Sequence, residues 1–226
     1  MTLSVVAFGD LHFPFAHRRK VAAAIALVKR LKPDAVVQVG DAYDLFSFSR
    51  FPRSQSLITP RDEITRARAA AEQFWKAIRD AAGRGVERFQ LLGNHDERLV
   101  KRVMASMPEF EPFLEEIHAR LWKFDGVTTQ GSEREELFLD GVCYMHGFRK
   151  HGDHTRHNGM STVCGHSHLG GVVYSRLGPK TIWELNAGYL GDPSSKALSY
   201  TRQRRIQTWT HGVGVIDGDG PRFVPL

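Results

Sequence analysis

The 226-residue sequence has little cysteine, no long apolar run and no internal repeat. Two cysteines, Cys143 and Cys164, are too few for a disulfide-stapled secreted scaffold, so packing in buried strands is expected of them before redox chemistry. No apolar stretch approaches the roughly eighteen residues a membrane span needs. The start MTLSVVAFGD lacks the basic segment and apolar stretch of an export leader, which predicts a cytoplasmic address without membrane association. Charge of one sign is also scarce. The 31 Lys and Arg against 25 Asp and Glu leave +6, which favours anionic partners only mildly. No zinc finger, helix-turn-helix signature, dense basic tail or low-complexity tract appears. The remainder, 42% hydrophobic with 21 glycines and 10 prolines, is ordinary for one folded domain over 1–226, elaborated at 43–83 and 97–122.

Leu3 to Phe8 is a run rich in β-branched residues closed by Gly9-Asp10, and Ala35 to Val39 repeats the form, closed by Gly40-Asp41. Between them Val21, Ala24, Ile25, Val28 and Leu31 recur at helical spacing up to Pro33. Such a strand-helix-strand unit puts acids at the strand exits, where open α/β sheets hold ligands. Thr59 as cap, Pro60 in the first turn and Asp62 three residues on open a second helix. Its stripe is Ile64, Ala67, Ala71, Phe74, Trp75 and Ile78, and Gly83 stops it. Val86 to Leu92 is a third strand, ending in Gly93-Asn94-His95-Asp96. Pro108 and Pro112 break Glu97 to Trp122 into shorter helices. Leu137 to Met145, Ser161 to Cys164, Gly171 to Tyr174, Thr181 to Leu185 and Ile206 to Thr210 read as strands, and Lys123 to Glu136 and Gly191 to Arg205 as exposed loops.

Asp10, His12, Asp41, Asn94, His146 and the pair His166 and His168 stand at these strand ends. Two residues apart on an extended backbone, Asp10 and His12 point the same way, and His166 and His168 approach a common centre from the other side. Mixed carboxylate, imidazole and amide donors suit manganese, iron, zinc or nickel better than an all-oxygen magnesium site. Taken alone, Asp10 or Asn94 serves equally well as a cap or turn residue. Their joint occurrence with histidines at the other strand ends favours metal.

The ordered motifs Gly9-Asp10-Leu11-His12, Gly40-Asp41-Ala42-Tyr43-Asp44, Gly93-Asn94-His95-Asp96, Met145-His146-Gly147 and Gly165-His166-Ser167-His168 resemble the calcineurin-like metallophosphoesterase superfamily. The resemblance implies an α/β (α+β) fold, a four-layer αββα sandwich of two mixed β-sheets flanked by helices, with a binuclear site along one edge. It implies Asp10, His12 and His168 around one divalent ion, Asn94, His146 and His166 around a second, and Asp41 between them. Mn2+ is the expected metal, with Fe, Zn or Ni as alternatives. Two divalent ions against two ligand carboxylates leave a formal +2, which attracts phosphate and makes a water nucleophilic for in-line attack. By the same likeness His95 faces the substrate and serves the leaving group, with Asp96 or Asp44 orienting its ring. The sequence favours neither.

Family protein phosphatases carry an extended arginine-containing Gly-Asn-His-Glu motif, replaced here by Gly93-Asn94-His95-Asp96-Glu97-Arg98. The departure weakens that reading and leaves Arg98 as a phosphate contact. Phe46, Phe48, Arg50, Phe51 and Arg53 join aromatic platforms to cations, which suits a nucleotide-containing anion, and a lid or dimer surface explains them nearly as well. His151, His154 and His157, set among Arg149, Lys150 and Arg156, form either a substrate-facing loop or a solvated turn. Asn186-Ala187-Gly188-Tyr189 is similar to a late loop shaping the substrate side in related enzymes, and reads equally as a turn after a strand. The expectation is hydrolysis of phosphodiester bonds in nucleotides, DNA or RNA. A phosphomonoesterase, protein phosphatases included, and a noncatalytic metal-containing binding module are the alternatives. Oligomeric state is open.

Overall fold

Val5 to Phe8 is buried at every position, because alternate residues serve two different cores. Val6 and Phe8 pack with the helices, whereas Val5 and Ala7 pack toward a second sheet. Ala35 to Val39 divides in the same way, with Val36 on the helical side and Val37 and Val39 on the other. Coverage of both faces explains why these runs are continuously apolar and do not alternate.

The computed structural model describes residues 3–50, 58–195, 197 and 207–226. Phe51 and Arg53 of the aromatic-basic stretch, and Ile206, lie outside the described residues. In chain order the elements are β1 (Val5–Phe8), α1 (Arg18–Leu31), β2 (Ala35–Val39), α2 (Pro60–Ala82), β3 (Glu87–Leu91), α3 (Arg98–Ser106), α4 (Glu111–Trp122), β4 (Thr128–Thr129), β5 (Leu137–Leu139), β6 (Val142–Tyr144), α5 (His154–Asn158), β7 (Thr162–Cys164), β8 (Gly171–Leu177), β9 (Lys180–Asn186), β10 (Gly212–Asp217) and β11 (Gly220–Pro225). One sheet runs β11-β10-β1-β2-β3-β4 and the other β5-β6-β7-β9-β8. Both are mixed: β1, β2, β3 and β4 are parallel, β10 is antiparallel to β1 and β11 to β10, and β6, β7 and β9 are parallel between antiparallel β5 and β8.

The sheets face each other across the second core, and α1 and α2 cover the outside of the first sheet. Among the described residues, the short α5 is the helix lying against β7, β8 and β9 of the second sheet. The arrangement is the α/β sandwich of two mixed sheets flanked by helices. No helix among the described residues is long and apolar enough to cross a membrane.

Helix α2 begins where its local chemistry predicts. Thr59 Oγ1 accepts the Asp62 N–H at 3.1 Å, Pro60 fills the first turn, and Ala67, Ala71, Phe74, Trp75 and Ile78 are buried. Pro112 lies in the first turn of α4, where its missing N–H costs nothing, so it opens that helix and does not break it.

Three expectations are corrected. Leu137 to Met145 is not one strand: Asp140 and Gly141, with φ of 46° and 75°, form a two-residue turn that folds it into the β5–β6 hairpin. Gln207 to Thr210 form no strand, and the chain pairs later as β10 and β11. The glycines that hide β10 in the sequence make room for neighbours, since the Phe223 ring packs onto Gly212 and Leu185 onto Gly214. Lys123 to Glu136 is also not wholly loop, because Thr128 and Thr129 pair with β3.

Candidate metal centre

The turns that leave β1, β2 and β7 bend sharply. Asp10, His12, Asp41, His166 and His168 all adopt left-handed backbones, with φ of 33°, 52°, 54°, 65° and 61°. Such conformations cost about 1–3 kcal/mol each and persist only where surrounding contacts enforce them. The convergence of Asp10 with His12 therefore arises from tight turns and not from an extended register. His166 and His168 fall into separate groups, which contradicts the reading of their spacing as an approach to one centre and agrees with the division that the family resemblance implies.

Asp10, His12 and His168 form one group. His168 Nε2 lies 3.1 Å from Asp10 Oδ1 and 3.4 Å from His12 Nε2. Asp41, His146 and His166 form the second. His146 Nε2 is 3.4 Å from Asp41 Oδ2 and 3.3 Å from His166 Nδ1, and Asn94 Oδ1 stands 3.1 and 2.8 Å from those two nitrogens. Imidazole nitrogens facing one another at this range, interleaved with carboxylate and amide oxygens, are spaced like neighbouring ligands of a divalent cation. Both groups suit that role.

Neighbours fix which ring nitrogen is offered. Asp44 Oδ2 takes the Nδ1 side of His12 at 3.1 Å, and the Val39 carbonyl takes Nδ1 of His146 at 3.0 Å, leaving each Nε2 for the cluster. Without cations the carboxylates draw protons instead. For His146, burial opposes protonation, but the charge and hydrogen bond of Asp41 and the charge of Asp10 carry it up to about 10. Burial also works against charge on His12, yet Asp44, Asp41 and Asp10 raise it.

Two glycines are required by this crowding. A Cβ on Gly93 would fall on the Asp41 carboxylate and backbone N, and one on Gly40, at φ 97°, would sit 2.6 Å from His146 Nδ1.

Asp96 does not face His95. Its carboxylate accepts the backbone N–H groups of Ala42, Tyr43 and Gly93 at 3.2, 2.7 and 2.8 Å, joining the Asp41 and Asn94 turns. Burial and the Asp41 charge push it up to about 8 against the Tyr43 and Gly93 bonds. Asp44 is the acid beside His95, with Oδ2 3.7 Å from Nδ1. Burial works against its charge, but the hydrogen bond with His12 and the nearness of the His95 and His12 rings hold it well below the carboxylate range. Arg98 donates from Nη2 to His95 Nε2 at 2.9 Å and from Nη1 to Asp44 at 2.9 and 3.2 Å. Because a guanidinium only donates, His95 carries its proton on Nδ1. Burial, helped by the Arg98 charge, lowers His95 to about 4.

A cavity of about 950 Å³ opens on the Asn94, His146 and His166 side. Arg50 and Arg98, the expected substrate contacts, are among the residues lining it. Lys101, Arg102 and Arg134 add cations, and Phe48 and the exposed Phe148 add rings. The spacing of Arg98, Lys101 and Arg102 on one face of α3 was the available signal for this wall.

Two expected substrate contacts are spent elsewhere. His151 turns toward Glu184, with Nδ1 3.2 Å from Oε1. Asn186 is buried and donates to the Gly165 carbonyl and Ser167 Oγ at 2.7 and 2.9 Å, while its own carbonyl accepts the Gly188 N–H. It braces the His166 turn. Sequence reading also missed two buried acids. Glu63 accepts the Phe46 and Ser47 N–H groups at 2.5 and 2.7 Å, and Glu184 accepts those of Gly152 and His154 at 2.6 and 2.8 Å. On an amphipathic helix and a strand they carry no local mark.

The Gene 54 protein of Mycobacterium phage L5 is 26% identical over 251 aligned positions, covering 100% of this chain and 94% of that protein. The Gene 54 protein of Mycobacterium phage D29 is 26% identical over 252 positions with the same coverage of each, 100% and 94%. Among solved structures, the phosphoesterase Yfce of E. coli aligns at 16% identity with a TM-score of 0.44, covering 96% of this chain and 90% of that one. The sequence model of the calcineurin-like phosphoesterases matches residues 3–170. That match runs from the first strand through the His166-Ser167-His168 turn and takes in every side chain of the two clusters, so the chain belongs to the calcineurin-like phosphoesterase family.

Proposed function

We propose that this chain is a binuclear metal-dependent phosphoesterase acting on phosphodiester bonds of nucleotides or nucleic acid. The observation that carries the reading is the cleft: one metal cluster opens into a cavity walled by Arg50, Arg98, Lys101, Arg102 and Arg134, with Phe48 and Phe148 at its margins. Cations beside aromatic faces suit a phosphate backbone carrying bases. Asp10, His12 and His168 would hold one ion and Asn94, His146 and His166 the other, with Asp41 shared. Manganese is the preferred occupant. Two such ions would neutralise charge on phosphoryl oxygens and lower the pKa of a bound water.

The chain's own residues supply the rest. Arg98 stands at the mouth of the cavity with an N–H that a phosphate oxygen can take from His95. Losing that bond frees His95 Nε2 to pick up a proton, and the Asp44 carboxylate across the ring stabilises the imidazolium that results. His95 then holds a proton at Nε2, on the side facing Asp41, for the departing oxygen.

The expected outcome is manganese-stimulated hydrolysis of an aryl phosphodiester, faster than of the matching monoester. In His95→Ala we expect kcat to fall about 100-fold or more with two ions still bound. A preference for the monoester would move the substrate class to phosphomonoesters. No turnover on any phosphate ester by a chain holding both ions would favour a binding module.

A further inference from the structure

Behind the wall of the cleft lies a second set of metal-ligating side chains that the family motifs do not use. Cys164 ends β7, Glu184 lies on β9, and His151 sits in the turn before α5. Their Sγ, Oε1 and Nδ1 atoms all lie within 4.8 Å of one another. Cys164 and Glu184 are fully buried, and His151 is 16% exposed at its side chain.

We infer that His151, Cys164 and Glu184 form a third metal site, distinct from the binuclear centre and suited to a single zinc-class divalent ion. Ligand lengths of about 2.0–2.1 Å to imidazole and carboxylate and about 2.3 Å to thiolate, set tetrahedrally, place the N···O and S···O edges near 3.3 and 3.5 Å. The corresponding distances here are 3.2 Å from His151 Nδ1 to Glu184 Oε1 and 3.6 Å from Cys164 Sγ to the same oxygen.

Hydrogen bonding alone does not account for the group. His151 Nδ1 is buried and lacks a hydrogen-bond partner despite its nearness to Oε1, because the ring is not aligned to donate to that oxygen. A ligating lone pair requires no such alignment. His154, whose Nδ1 also lies 3.2 Å from Oε1, is a different case. Its Nε2 accepts the Phe148 and Arg149 N–H groups at 3.1 and 3.0 Å, so its proton is on Nδ1, and although that nitrogen, like His151 Nδ1, makes no hydrogen bond, it has no lone pair to offer a cation. The Gly152 N–H donates to the same Oε1 at 2.6 Å and the His154 N–H to Oε2 at 2.8 Å, which holds the Glu184 carboxylate still. Three protein ligands leave one tetrahedral position of such an ion for water.

Charge favours the same assignment. One carboxylate and one thiolate neutralise a dication, so the occupied site is neutral within a buried region. Binding releases the Cys164 thiol proton to solvent and clips together β7, β9 and the 147–154 segment, which carries Phe148 into the cleft.

The test loads the full chain, stripped with chelator, with Co2+. None of the seven binuclear ligands carries sulfur, so a thiolate-to-cobalt charge-transfer band in the near ultraviolet reads this site alone. We expect three equivalents per chain and such a band. Cys164→Ser should lose the band and one equivalent, Cys143→Ser should retain both, and His151→Ala, a half-buried turn residue that leaves the strands intact, should weaken the band. A wild-type chain that takes up two equivalents without a thiolate band, or a band that survives Cys164→Ser, overturns the assignment. The readout is independent of phosphoester hydrolysis.

Discussion

His146 and Asp96 act by opposite means on the same cluster. The first offers Nε2 to the cleft side while the Val39 carbonyl holds its other nitrogen; the second never meets the cleft and instead gathers three backbone N–H groups. A proton on His146 is the metal-free chain's compensation for the Asp41 and Asp10 charges, and it persists up to about pH 10. A cation needs the lone pair that this proton occupies, so at pH 7 binding must expel it. Metal affinity should therefore rise with pH from 6 toward 9, and calorimetric titration of the stripped chain should show proton release that depends on buffer ionisation enthalpy. His146→Ala should diminish that release. Proton-neutral binding by the wild type would show that His146 is not displaced from its protonated state.

Among the elements, α2 was the most legible. Thr59-Pro60 fixes its start and a stripe of small and aromatic residues fixes its buried face. Ile78 is fully buried against the first sheet within the larger core. Ile78→Ala should cost about 2–5 kcal/mol, read as a lower urea midpoint with an unchanged slope. A loss below about 1 kcal/mol would mean that the site collapses around the missing atoms. The same helix carries an acid whose partners lie outside it, since Glu63 holds the Phe46–Phe48 turn, and with it the cleft wall at Phe48. The β5–β6 hairpin was concealed for the opposite reason. Its Asp140-Gly141 turn separates two short apolar triplets, Leu137–Leu139 and Val142–Tyr144, and the reading of a single strand passed over that turn signal.

For the molecule as a whole, the clusters lie where the two sheets meet at one edge. Asp10, Asp41 and Asn94 follow strands of the first sheet, and His146, His166 and His168 follow strands of the second. An ion in either cluster would join the sheets, so occupancy and stability are linked. At a free concentration a hundredfold above Kd, each site should add about 2.7 kcal/mol. The thermal midpoint should rise by several degrees and fall again with chelator. A midpoint indifferent to metal would argue that the sheets are held without it.

The sequence by itself determined the strand exits at Asp10, Asp41 and Asn94, the histidine pair at His166 and His168, the start of α2 and the family to which these motifs belong. Those signals are local: hydrophobic runs, caps and short motifs act over a few residues. The packed fold was needed to show that Asp44 rather than Asp96 stands beside His95, and that His151 turns to Glu184 and away from the cleft. Those choices depend on contacts such as that of the His166 N–H with Asp10 Oδ2 at 3.0 Å, across 156 positions of chain. Left-handed backbone angles and buried hydrogen bonds set such contacts once the two sheets have packed, and no short stretch of residues contains that information.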